Sequence, residues 1–149
     1  MLALSGGYLC SQRINYLRRR VSVSRGLCAF IRYAKGQIER YAMPATEILR
    51  RCPSEILSLC GYAGDCLPSD LVSFCNAIVI EDGECKRIFS EFASDMGSCY
   101  REEQVKRCDE LLCLLSEREK YLSDRLPVEC KLTLALFCSA VIAVIILLL

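Results

Sequence analysis

Arg13–Ala42 reads RINYLRRRVSVSRGLCAFIRYAKGQIERYA. Taken in alternating steps of three and four from Ile14, it gives Leu17, Val21, Ser24, Cys28, Ile31, Lys35, Ile38 and Ala42, and most of these positions are apolar. Leu27, Ala34 and Tyr41 widen the stripe on one side. A strand would alternate every second residue, so this spacing predicts an amphipathic helix with a heptad-like seam. Met43-Pro44 closes it, because proline pushes the residue before it out of the helical region.

A second stripe of the same kind runs Val105, Cys108, Leu112, Leu115, Glu119, Leu122, Leu126, widened by Leu111 and Leu114. Gly97 followed by Ser98 reads as a stop and a cap leading into it. Between the stripes, punctuation at Pro53-Ser54, Pro68-Ser69-Asp70 and Asp82-Gly83 predicts short helices over 45–52, 54–61, 69–80 and 83–96. Strand alternation is otherwise missing. The expectation is an all-α fold: an antiparallel bundle or hairpin of two long helices, 13–42 and 101–126, with short helices capping its far end. At 1.5 Å per residue the long pair would measure about 45 and 39 Å.

Leu132–Leu149, LTLALFCSAVIAVIILLL, carries no charge over 18 residues. A helix of that length spans roughly 27 Å, near the hydrocarbon core of a bilayer. Its apolar residues cover every face, which a core helix does not need, so the run reads as a C-terminal transmembrane helix (132–149), with Pro127 as a boundary or kink before it. A GPI signal would need a spacer of small residues where Pro127, Glu129, Cys130 and Lys131 stand. The first twelve residues, MLALSGGYLCSQ, are also uncharged. They are too few to span, and positive charge follows them rather than precedes them, so they do not read as a signal peptide. They are expected to be a short membrane-contacting segment or part of a truncated span. The helical domain is then 13–126, facing the cytoplasm, with Arg18, Arg19 and Arg20 as its positive flank.

The net charge of +1 hides an asymmetry. Residues 1–53 hold ten Arg or Lys and two acids, whereas 54–149 hold nine and sixteen. Such a split points to a membrane surface, an acidic partner, or pairing between the halves. The Arg cluster lacks interleaved stacking aromatics, so lipid or protein is expected rather than nucleic acid. There is no histidine, which removes Ser-His-Asp and Cys-His catalysis within this chain. No phosphate-binding glycine fingerprint occurs. Glu102-Glu103 and Glu117/Glu119 read as solvated helix surface. No catalytic, cofactor or metal residue is assigned. The 12 cysteines include no CxxC pair, and several sit on apolar positions, so cysteine is read as a small hydrophobe.

The order of motifs resembles the stage III sporulation protein AB family. The features are the Arg-rich start, Gln37-Ile38-Glu39-Arg40-Tyr41 before Pro44, the stretch Phe89 to Gly97, then Gln104-Val105-Lys106, then Lys131-Leu132 and a terminal apolar helix ending in leucines. The chain departs from the family's pattern in having only residues 1–12 where a full first span is usual, Phe92-Ala93 at the first "LG", and Ser139, Ala140 and Ala143 at expected glycines. The resemblance implies a non-catalytic assembly or coupling subunit of a secretion-like channel complex between mother cell and forespore. Its domain would face the mother cell. Its partners would be the lipid bilayer, a secretion-type ATPase and other membrane subunits of the complex, with homo-oligomerisation left open. The residues expected to matter are Arg18, Arg19, Arg20, Glu39, Pro44, Gly97 and Gln104. Two other readings stand beside it: a generic membrane-anchored regulatory or interaction protein unrelated to sporulation, and a thiol-based redox or metal sensor.

Overall fold

The computed structural model describes residues 2–64 and 66–148, with side chains described for 7–64 and 66–147. Met1 of the N-terminal segment and Leu149 of the apolar run lie outside them. Among the described residues the chain is all-helical: α1 Leu2–Tyr41, α2 Ala45–Arg50, α3 Ser54–Leu59, α4 Leu71–Ala77, α5 Gly83–Asp95 and α6 Arg101–Leu148.

α1 starts earlier than the stripe requires. Residues 2–12 continue the helix, because nothing in them breaks it and their flank lies on α6: a Cβ on Gly7 would sit 3.9 Å from the Phe137 ring. α1 ends on Ala42 at φ 48, a left-handed residue whose N–H returns to the Ile38 carbonyl at 3.0 Å. Arg101 of α6 donates to the carbonyls of Ile38 and Glu39, which satisfies two groups that a helix C-terminus leaves open.

α1 and α6 run side by side in opposite directions. Gly7 approaches Phe137, Arg25 bonds Glu119, Cys28 meets Ser116, and Lys35 bonds Asp109. Every step forward on α1 is matched by an equal step back on α6, so one register holds along the whole pair. Extended by the same rule, it sets Arg13 level with Lys131. α6 passes through Pro127 without a break in its helical backbone. Buried Leu122 and half-buried Leu126, packed on the α1 core, hold the turn before the proline. The boundary expected at Pro127 therefore does not interrupt the helix.

The short helices lie along the flank of the pair rather than over its end. The reason is a second apolar face on α1. Val23, Leu27, Phe30 and Ala34 point away from the α6 seam and are buried under α3–α5. Phe30 stacks on Phe74 at 5.5 Å and meets Phe89 edge-on at 5.8 Å, and Phe89 stacks on Phe92 at 5.7 Å. Asp70 and Asp82 cap α4 and α5 by accepting from Ser73 N–H and Cys85 N–H. α4 is shorter than the span 69–80, because Ile78 is already extended (ψ 145). α5 stops at Asp95, one residue before the expected end, because Met96 is already extended (ψ 119); Gly97, at φ 92, belongs to the turn that follows and does not itself end the helix. Ser98, however, does not cap α6: its hydroxyl donates back to the Asp95 carbonyl at 2.6 Å, and α6 starts at Arg101.

α3 comes so near α1 that only glycine fits between them. A Cβ at Gly26 would lie 2.4 Å from the Leu59 carbonyl carbon and 2.6 Å from the Cys60 nitrogen. Those are backbone atoms, so the helices themselves would have to part. Gly26→Ala is expected to cost about 2–3 kcal/mol. Gly36→Ala, where a Cβ meets nothing within 4 Å, should instead gain up to about 1 kcal/mol of helix propensity. Thermal melts of the full chain in detergent followed by circular dichroism check the pair; equal Tm values would refute the close contact.

Candidate functional site

The most constrained polar group in the molecule is Asp82. It is 4% exposed and sits at the start of α5. Its carboxylate accepts from Arg20 of α1 at 2.8 Å and from Arg118 of α6 at 3.0 and 2.8 Å, besides the Cys85 N–H at 3.1 Å. Burial works to raise the carboxyl's pKa, but the bonds from Arg118, Arg20 and Cys85 outweigh it and hold it well below the usual carboxylate range. Arg118 is also stacked over Tyr121 at 4.9 Å and Arg20 over Tyr16 at 5.8 Å. Next to the clamp, Arg19 lies 3.8 Å from Glu81. Arg20 Nε and Glu81 Oε2 are buried without a hydrogen-bond partner among the described residues.

The residues singled out in the sequence fall into two places. Arg18, Arg19 and Arg20 lie at the end of the head nearer the apolar part of α6. Arg18 is exposed, and Arg20 enters the Asp82 clamp. Glu39, Pro44, Gly97 and Gln104 lie at the opposite end, about 30 Å up α1. Glu39 is 3.5 Å from Lys35, and its carbonyl receives Arg101. Pro44 precedes α2, its carbonyl accepting from Glu47 and Ile48 N–H. Gln104 borders a cleft of about 250 Å³ between α5 and α6, floored by Phe92, Met96 and Leu111. Across that cleft Arg107 bonds Asp95 and Glu91 of α5, and along its own helix it bonds Glu110. Gly97 does not line it.

Sequence reasoning missed Asp82 and Arg118 as a pair. Asp82 was visible only as a helix cap before Gly83, and Arg118 only as one charge on a polar face. The signal is a cap residue that must be aspartate for a second reason, and no local pattern encodes the partner 36 residues away.

The thiols follow burial. Cys28, Cys52, Cys60, Cys75, Cys85 and Cys108 are buried, whereas Cys66, Cys99, Cys113 and Cys138 are exposed. Loss of hydration pushes Cys52, Cys60 and Cys85 up to about 12 and Cys108 up to about 11. None is paired in a disulfide, and among the described residues no group of three His, Cys, Asp or Glu is placed to hold a metal. No protein family, characterised protein or solved structure matches the chain.

Two outcomes are expected. Asp82→Asn should destabilise the fold by about 3 kcal/mol, since two arginines lose their shared anion. Because the native carboxyl titrates lower than an unfolded one, its contribution is complete above the unfolded value of about 3.9 and is lost as pH falls below it. The variant should therefore lose less stability than the wild type below about pH 4; parallel stability–pH curves would count against the clamp. In a timed alkylation at pH 8 with mass-spectrometric mapping, Cys66, Cys99 and Cys113 should react in the native chain, and the buried six only after unfolding. Native-state labelling of Cys60 or Cys85 at the rate of Cys66 would contradict the packing.

Proposed function

We propose that the protein is a membrane-anchored, non-catalytic interaction subunit whose helical head stands at the cytoplasmic surface. The observation that carries this reading is the surface of α6 beyond Lys131. The helix has a window of mean hydropathy 2.5, none of it buried, and Leu132, Leu136 and Ile146 are 59%, 62% and 69% open. Contiguous apolar surface of that extent is costly in water and favourable in hydrocarbon. The basic residues support the sidedness: Arg13, Arg18 and Arg19 follow the apolar start of α1, and the helix register sets Arg13 level with Lys131. Tyr16, flanked by Arg13 and Arg20, stands three residues from Arg13 in the same zone, where amphipathic rings favour the interface.

Within that class, we favour the assembly or coupling role implied by the resemblance to the stage III sporulation protein AB family. The head would lie on the mother-cell side and work with a secretion-type ATPase. The cleft beside Gln104 is the preferred docking point, since it lies at the end of the head far from the bilayer. Energy would come from the ATPase.

Two measurements test this. The full chain should float with phospholipid vesicles on a density gradient and stay with them in alkaline carbonate; recovery in the aqueous fraction would remove the anchor. In detergent extracts of sporulating cells expressing a tagged chain, the secretion-type ATPase should co-purify. Gln104→Ala should lower its recovery several-fold at unchanged helix content. Unchanged recovery would remove the cleft from the proposal.

A further inference from the structure

The outward faces of the two long helices have no partner within the chain, and they match each other. On α1, Arg18, Arg25 and Arg32 recur at every seventh residue, and all three are exposed. Between them, in steps of four and three, fall Ser22, Ala29 and Gly36. Small residues and arginines thus alternate along one seam, on the side of α1 that its two buried faces leave free. The outward seam of α6 is the complement. Glu110, Glu117 and Asp124 recur every seventh residue and are exposed. Leu114, Tyr121 and Val128 stand between them, with 46%, 46% and 62% of their surface open. A heptad seam on a helix is a packing surface, and the buried seams of the same helices show that this spacing matches their twist.

We propose that the outer α1 seam of one copy packs against the outer α6 seam of the next, giving a head-to-tail row of chains in the plane of the membrane. The proposal rests on the membrane-anchored reading. Copies in one bilayer share an orientation and a depth, so α1 of one copy runs antiparallel to α6 of its neighbour, and the register found within the chain applies between chains. In that register Tyr121 is level with Val23, one residue from Ser22, and Leu114 is level with Phe30, one residue from Ala29. Tyr121 and Leu114 each thus meet a small side chain. Asp124 falls two residues from Arg18, Glu117 two from Arg25 and Glu110 two from Arg32. That offset is about 3 Å along the axis, well within the reach of an arginine.

The charges are free to different degrees. Arg18 and Arg32 form no ion pair among the described residues, and neither do Glu117 and Asp124. Arg25 is shared with Glu119 and Ser123 of its own chain, and Glu110 with Arg107. Lys120 and Arg125 flank the α6 seam without lying on it. The two surfaces differ, so the contact is heterologous and generates a ring or a filament rather than a closed dimer.

The test uses the full chain and two exposed residues outside the Asp82 clamp. Flotation with vesicles of phosphatidylcholine and phosphatidylglycerol comes first. The chain that floats is then extracted in mild detergent and weighed by mass photometry. The wild type should form species of three or more copies. Arg18→Glu and Asp124→Arg should each raise the apparent dissociation constant about tenfold or more, because like charges then face across the seam. Mixing the two variants should restore assembly, since each reversed seam meets the other; misfolded variants would not be rescued in this way. A floating chain that is monomeric, that stops at a dimer, or whose single variants assemble normally overturns the seam pairing alone. A chain that does not float removes the anchor, and with it the common depth on which the pairing depends.

Discussion

One carboxylate holds three helices at fixed angles to each other. Asp82 begins α5, receives Arg20 from α1 and Arg118 from α6, and is almost fully buried. An isolated carboxylate there would be expelled or protonated. Two guanidinium groups and a backbone N–H supply enough hydrogen bonds to keep it ionised. The two arginines in turn can lie near each other only because the anion stands between them. The dependence is mutual, and it fixes where α5 can start. It thereby fixes where Phe89 and Phe92 meet Phe30. The apolar core is tolerant of small shifts; the ion cluster is not, because bidentate geometry is directional.

The long-range layout was legible because it is written in periodicity. Two heptad stripes of similar length, separated by proline- and aspartate-punctuated short segments, leave little but an antiparallel pair with small helices attached. What could not be read is where those small helices go. From its spacing the stripe on α1 reads as a single face with Leu27 and Ala34 at its margin. In fact Val23, Leu27, Phe30 and Ala34 form a second buried face roughly a quarter-turn away, and it draws α3–α5 onto the flank. Periodicity reports that a residue is apolar, not which neighbour buries it. Pro127 misleads for a related reason. Proline weakens a helix locally, but that cost is small beside the packing of the turns around it. Of the candidate site, Gln104 and the Arg18–Arg20 cluster were reachable from sequence; Asp82 with Arg118 was not, since ion pairs between distant segments leave no local trace.

The charge asymmetry is met partly by these same contacts. Arg19 with Glu81, Arg20 with Asp82, Arg25 with Glu119 and Lys35 with Asp109 each join the basic half to the acidic half. Only the pair at Asp82 is desolvated, so the others add little to stability and more to register. They favour one alignment of α1 on α6, since a shift of a single heptad would set Arg25 level with Leu112 or Leu126 instead of Glu119. Arg13, Arg18, Arg32 and Arg40 form no ion pair among the described residues, and all four are exposed on α1.

Helix continuity gives the last constraint. α6 reaches from the cleft at Gln104, past the Asp82 clamp, to the apolar surface beyond Lys131 as one helical rod of 48 residues. α1 follows it in one register from Gly7 to Lys35. A tilt or rotation imposed on the apolar end cannot be absorbed by a loop, because none intervenes on either helix. It must appear at the clamp, where Arg118 and Arg20 approach Asp82 from opposite rods, and then at α5 and the cleft. On α6 the pair can yield at the turn around Pro127, which lacks one backbone hydrogen bond. That turn lies between the apolar segment and the clamp. Its stiffness therefore sets how much of any motion of the apolar segment reaches the head, and buried Leu122 with half-buried Leu126 ties α6 to α1 just before it.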